Sequence, residues 1–251
     1  MQRFPKEGFV LPEVALQKCL SADHRFLTGA EFALERAVHN EEGSPAWQVY
    51  PHTNTLVGVG LHKGKPTLLI HHGDNVLSTP YEIVRLRAQG FQRNKFQLLT
   101  EKDRQQWKQY CEQGLEEKGP KRQTWVIQGK ALKRMGSGVF SLEDAFNNST
   151  MVPMLGDLSI VQNYLIGHEV NIDPRIGVLI DKDATFSEVP LVGPLVFGDY
   201  YISNLNGYVN YCIDGCVVGV PSGAECATQK IVDSKILFPR KGSPLDLILN
   251  C

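Results

Sequence analysis

No apolar run in this sequence approaches the ~20 residues that a membrane-spanning helix needs. Its first twenty residues, MQRFPKEGFVLPEVALQKCL, hold prolines and charges where a secretory leader needs an apolar stretch. The expectation is a cytoplasmic chain. An excess of one charge sign is also missing: the formal net charge is -1 and the pI about 6.7. That argues against a protein that coats nucleic acid or an anionic membrane. Lys118, Lys121, Arg122, Lys130, Lys133 and Arg134 are a local basic cluster, best read as a solvated face.

The six cysteines (Cys19, Cys111, Cys212, Cys216, Cys226 and Cys251) show no regular framework, which points to reduced thiols. Cys212 and Cys216 are spaced as CxxxC but no second pair follows, so no zinc site is expected. No HExxH occurs, and Gly136-Ser-Gly138 is too short for a dinucleotide fingerprint. Repeats and low-complexity linkers are absent. With 251 residues, 42% of them hydrophobic, the chain can bury a sizeable core. The reading is one α+β domain over 1–251, with two packed, mainly antiparallel β-sheets and flanking helices.

What is present centres on residues 66–91, PTLLIHHGDNVLSTPYEIVRLRAQGF. A short run of strand formers, 67–70, stops at His71, His72 and Gly73. A turn rich in Asp, Asn, Ser and Pro follows. Ser78 or Thr79 can cap the next helix, Pro80 suits its first position, and Gly90 suits its end. A histidine at a strand end beside a glycine is a usual place for a small-molecule site. Strand alternation lets only one of the two histidines face a given side, and either can equally be a hydrogen-bonded core residue.

Around this unit, 12–20 reads as a helix with Val14, Leu16 and Leu20 partly inward, and 29–39 as a better one. Residues 46–50 and 55–61 read as strands, 96–118 as a charged helix with Thr100 and Asp103 forming a cap, and 124–128 as a strand. Ser141 with Asp144 marks another helix start, and 156–166 leans to helix. From Gly177 onward short β-branched and aromatic runs suggest an all-β half, with Pro190 and Pro194 at edges or bends and KILFP and LDLIL in the tail.

Three further residues invite chemistry. Glu188, in FSEVPLV, is a carboxylate that could orient a ribose hydroxyl or stabilise a developing cation; alone it reads as an exposed strand residue. Phe140, after two glycines, could stack on a flat ring or simply pack. Cys19 could act as a nucleophile with His71 or His72 as base, against the plainer reading of an inert buried thiol.

In combination these segments resemble the His-Tyr-Glu branch of the ADP-ribosyltransferase superfamily. IHHG with its capped helix ending AQGF is similar to the family's HG motif. GSGVFS is similar to its glycine-apolar-aromatic segment, with Phe140 in the usual tyrosine's place. SIVQNYL, with Tyr164, is similar to the downstream aromatic segment, and FSEVPLV to the strand with the catalytic glutamate. The resemblance covers about 66–195, leaving 1–65 as N-terminal helices and strands and 196–251 as a β-rich extension. It implies NAD as substrate, held by His72 and Gly73 and stacked by Phe140 and Tyr164. Glu188 would be catalytic, and a protein side chain the acceptor. Such a transferase would suit a bacterial toxin or effector delivered into a target cell. Two other functions compete: a thiol hydrolase using Cys19, and a non-enzymatic β-rich binding protein in which the His-His-Gly corner is structural.

Overall fold

The computed structural model describes residues 1–92, 95–119, 122–181, 184–198, 204–207 and 215–224. Its strands are β1 (Gln2–Phe4), β2 (His24–Phe26), β3 (His52–His62), β4 (Lys65–His72), β5 (Phe91–Gln92) and β6 (Lys95–Gln97). They continue with β7 (Thr124–Gln128), β8 (Gly138–Ser141), β9 (Arg175–Ile180), β10 (Leu191–Gly198), β11 (Asn204–Gly207) and β12 (Val217–Pro221). The helices are α1 (Pro12–Ser21), α2 (Gly29–Val38), α3 (Pro80–Gln89), α4 (Glu101–Glu116), α5 (Gly129–Arg134), α6 (Leu142–Phe146), α7 (Met151–Leu155) and α8 (Leu158–Asn171).

All the described strands join one hydrogen-bonded, 12-stranded sheet, not the two packed sheets expected. Its main path runs β1-β12-β3-β10-β11-β9-β8, and β4 branches from β3 to carry β7. Pairings are mostly antiparallel; β11 with β9 and β12 with β3 are parallel. β3 and β4 form a hairpin closed by Lys63 and Gly64, both at positive φ as a two-residue primed turn requires.

Burial explains the difference. Almost every residue of β3 is buried, so the strand does not alternate between core and solvent. Val57, Val59, Leu68 and Ile70 face one core with α2, α7 and α8. Leu56 and Leu69 face the other, with α1, α3 and α4. The sheet is thus a central layer with helices on both faces. Gly58 serves that layer: a Cβ there would stand 2.6 Å from the Trp107 ring. Pro194 lies in β10, which has neighbours on both sides, and the ladder shifts register between Pro194 and Val196, a bulge that accommodates the missing donor.

Local signals held where capping chemistry decides. Thr79 caps α3 with Pro80 in the first turn, Thr100 caps α4 through Asp103 N–H, and Ser141 caps α6 through Asp144 N–H. Residues 156–166 fall in the α7–α8 region, largely helical as expected. Three expectations change. Residues 46–50 contain a short 3₁₀ helix, Pro45–Gln48, because Pro45 starts a turn beneath the buried Trp47. Residues 95–97 are strand, with α4 starting after Thr100. Val14 and Leu20 point outward while Ala15, Leu16 and Cys19 pack inward. The runs at 200–202 and 208–213, KILFP, LDLIL, Cys212, Cys226 and Cys251 lie outside the described residues. No described helix is long and apolar enough to cross a membrane.

Candidate functional site

Strand alternation separates the two histidines, and the structure uses both. His71 Nδ1 meets Thr124 Oγ1 at 3.0 Å, its Nε2 lies 3.3 Å from the Asp74 carbonyl, and its ring stacks on Tyr110 with centroids 4.4 Å apart. On the opposite face, His72 Nε2 lies 2.8 Å from the Pro153 carbonyl and Nδ1 lies 2.8 Å from Thr55 Oγ1. A carbonyl only accepts, so Nε2 carries the proton. Thr55 Oγ1, which accepts the Gly29 N–H at 2.8 Å, donates its own proton to Nδ1. His72 is a neutral ring with both nitrogens committed. Burial pushes its pKa down to about 4, against the opposing pull of the Pro153 carbonyl.

Just beyond His72 the chain builds a second polar network. Asn75 Nδ2 donates to the Gly73 carbonyl at 2.7 Å and to the Asn54 carbonyl at 3.1 Å, and its Oδ1 accepts the Leu77 N–H at 2.8 Å. Ser78 Oγ accepts the Asn75 N–H at 2.7 Å and donates to Asn54 Oδ1 at 2.8 Å; Asn75 Nδ2 also reaches that oxygen, at 3.3 Å. Two donors converge on one atom of the Asn54 amide, so that atom is oxygen and the amide orientation is set. The Nδ2 hydrogens then have no protein acceptor among the described residues, although Asn54 is only 6% exposed.

Asn54 lines a cavity of about 790 Å³, as do His72, Gly73, Asp74 and Ser78. Its other walls come from Leu20 at the end of α1, from β2 and the start of α2 (Arg25, Phe26, Thr28, Glu31, Leu34), from Arg122 and Gln123 before β7, and from Asp157, Ser159 and Ile160 at the start of α8. Several charged groups there are already matched. Arg25 pairs with Glu31 at 2.7 Å, and Glu31 Oε2 also closes a capping box on Thr28. Arg122 stacks on Trp125, 3.9 Å from its ring centre, and donates to the Gly119 carbonyl at 3.2 Å. Asp157 Oδ1 caps α8 through the Ser159 N–H at 2.8 Å. The Asp74 carboxylate is exposed and makes no hydrogen bond or ion pair with a described residue; its backbone carbonyl takes the bonds from His71 and Tyr110.

Of the five residues assigned to a nucleotide site from sequence, only His72 and Gly73 reach this cavity. Phe140 sits on β8, packed against the core beside Ile176. Tyr164 is fully buried and accepts a hydrogen bond from Arg36. Glu188 is exposed in a bend before β10 and is not part of a strand. Cys19, the candidate nucleophile, is not among the residues that line this cavity. It is fully buried, donates weakly to the His24 carbonyl, and burial pushes its thiol up to about 11. Sequence reading missed Asn54, Asp157 and Gln123. The available signal was a buried-strand amide: the polar residues of HTNTLV (52–57), inside an otherwise apolar strand, need partners. Among the described residues no three His, Cys, Asp or Glu side chains converge to hold a metal ion.

No family model and no curated protein matches the chain. Among solved structures it superposes with a TM-score of 0.68 on a protein described under "Accommodation of massive sequence variation in Nanoarchaeota by the C-type lectin fold". That likeness has 20% sequence identity and covers 86% of this chain and 100% of the other. It shows the fold, a C-type lectin fold, and overturns the resemblance to ADP-ribosyltransferases. The shared motifs were short, and the side chains that carried them are scattered between core, cavity and solvent.

Proposed function

We propose that this chain is a non-enzymatic, β-rich binding protein that takes a polar organic ligand in the cavity beside Asn54. The observation that carries this reading is the Asn54 amide: buried, fixed by Ser78 and Asn75, and left with a donor facing the cavity. That donor opens onto the cavity, where a ligand acceptor can take the place of water. The volume, about 790 Å³, is that of a ligand pocket rather than of a packing defect. The groups a hydrolase needs do not come together: Cys19 is buried and His72 is saturated. The neighbour's description, of a C-type lectin fold accommodating sequence variation, supports a frame that holds while a site changes.

Thermal-shift screening of the whole chain against chemically diverse polar ligands tests the proposal. The expected hits raise the melting temperature in the parent and lose that effect in Asn54→Leu. Hits that stabilise both proteins equally would move the site elsewhere, and no hit from a broad set would defeat the binding reading.

A further inference from the structure

Resting on that reading, we infer that the cavity's ligand is a short peptide segment with an aliphatic residue next to a basic one. The inference follows from what the lining still needs. Asn54 Nδ2 is a fixed donor on the cavity wall and suits an acceptor such as a carbonyl oxygen. The Asp74 carboxylate and the second oxygen of Asp157 are solvent-facing acceptors without described partners, open to donors from a ligand. The apolar part of the wall is Leu20, Ala30, Leu34 and Ile160, with Phe26 beside them.

A peptide presents carbonyl, N–H and side chain in one repeat, which answers all three needs. A sugar answers the polar needs but sets its apolar face on a flat ring. Phe26, the aromatic residue on the wall, is 9% exposed and committed to the core. Charge selects the neighbouring residue. Arg25 is answered by Glu31 and Arg122 lies over Trp125, whereas Asp74 has no cation among the described residues, so a lysine or arginine of the ligand completes it.

A randomised short-peptide library offered to the immobilised full chain, with a glycan array in parallel, tests this. The expected peptides carry Lys or Arg beside Leu, Ile or Val, and titration calorimetry on them gives the affinities. Asp74→Asn, which changes an exposed side chain and keeps the backbone carbonyl bonded by His71 and Tyr110, should weaken a basic peptide by roughly two- to fivefold, the worth of one exposed ion pair. The same peptide with norleucine in place of lysine should not respond to that substitution. Leu34→Ser should cost roughly tenfold through lost apolar contact. Asn54→Leu should also cost roughly tenfold; if it fails to fold, the other two variants decide. Glycans bound with no peptide bound overturns the peptide assignment and leaves the binding reading standing. Neither bound overturns both. Peptides bound equally well by Asp74→Asn remove the basic residue from the inference.

Discussion

Arg36 donates to the phenol oxygen of Tyr164 at 3.1 Å, tying α2 to α8 inside the core. The same guanidinium donates to the Ala46 and Val49 carbonyls and lies over the rings of Phe32, Trp47, Tyr50 and Phe197. A fully buried cation is thus held by oxygens and ring faces. Tyr164→Phe removes one of those oxygens and leaves a charged donor unpaired. Stability should fall by about 1–3 kcal/mol in urea unfolding, with the m-value unchanged. A loss within error would show that the phenol contributes nothing to holding Arg36.

Acid should weaken the fold well before carboxylates titrate. Burial holds His72 and His52 at about 4 in the folded chain, against 6.5 for an ordinary imidazole. Between those values the unfolded chain binds the extra protons, so stability is complete above pH 6.5 and is lost as the pH falls toward 4. The loss is on the order of 3 kcal/mol for each ring. His72→Gln, which keeps a donor for the Pro153 carbonyl, should be less stable at neutral pH and show a shallower acid limb. A parent curve flat between pH 7 and 4.5 would contradict this.

Cys19 should resist alkylation in the native state. Its thiol is fully enclosed and pushed up to about 11 by burial, so the reactive thiolate is scarce at neutral pH. Peptide mapping after iodoacetamide treatment should find Cys19 modified only at the rate of unfolding. Rapid labelling of the folded chain would place it in a reactive setting after all.

Gly58→Ala adds a methyl that meets the Trp107 ring at 2.6 Å and Val192 at 3.1 Å. Both neighbours are core residues on the β3 layer, so the expected cost is about 1–3 kcal/mol of overpacking. Near-UV dichroism of Trp107 should change with it. An unchanged melting temperature would mean that α4 can shift away from the sheet.

Legibility in the sequence divided along physical lines. Thr79, Thr100 and Ser141 act within three residues of themselves, and each did what its local chemistry predicts. The two strands of the β3–β4 hairpin were legible at 55–61 and 67–70 as runs of strand formers. The layer arrangement was not: a strand buried on both faces, such as 52–62, has no period from which to read a solvent side. The site was half legible. His72 and Gly73 do reach the cavity, but the amide that defines it, Asn54, is oriented by Asn75 and Ser78 across 21 and 24 residues of chain. No spacing rule carries such a relationship. Glu188, Phe140 and Tyr164 were joined only by motif order, which says nothing of where side chains go.

The cavity walls come from residues 20–34, 54, 72–78, 122–123 and 156–160, so no single hairpin or helix contains the site. It exists only when segments from α1 to α8 are docked together, so a ligand there would bind the native state alone. Mass action then makes occupancy a property of the entire molecule: ligand at one hundred times its dissociation constant adds about 2.7 kcal/mol to global stability. If the proposed binding holds, then in a cell that clears unfolded chains filled molecules would outlast empty ones, and the abundance of the protein would track the supply of its ligand.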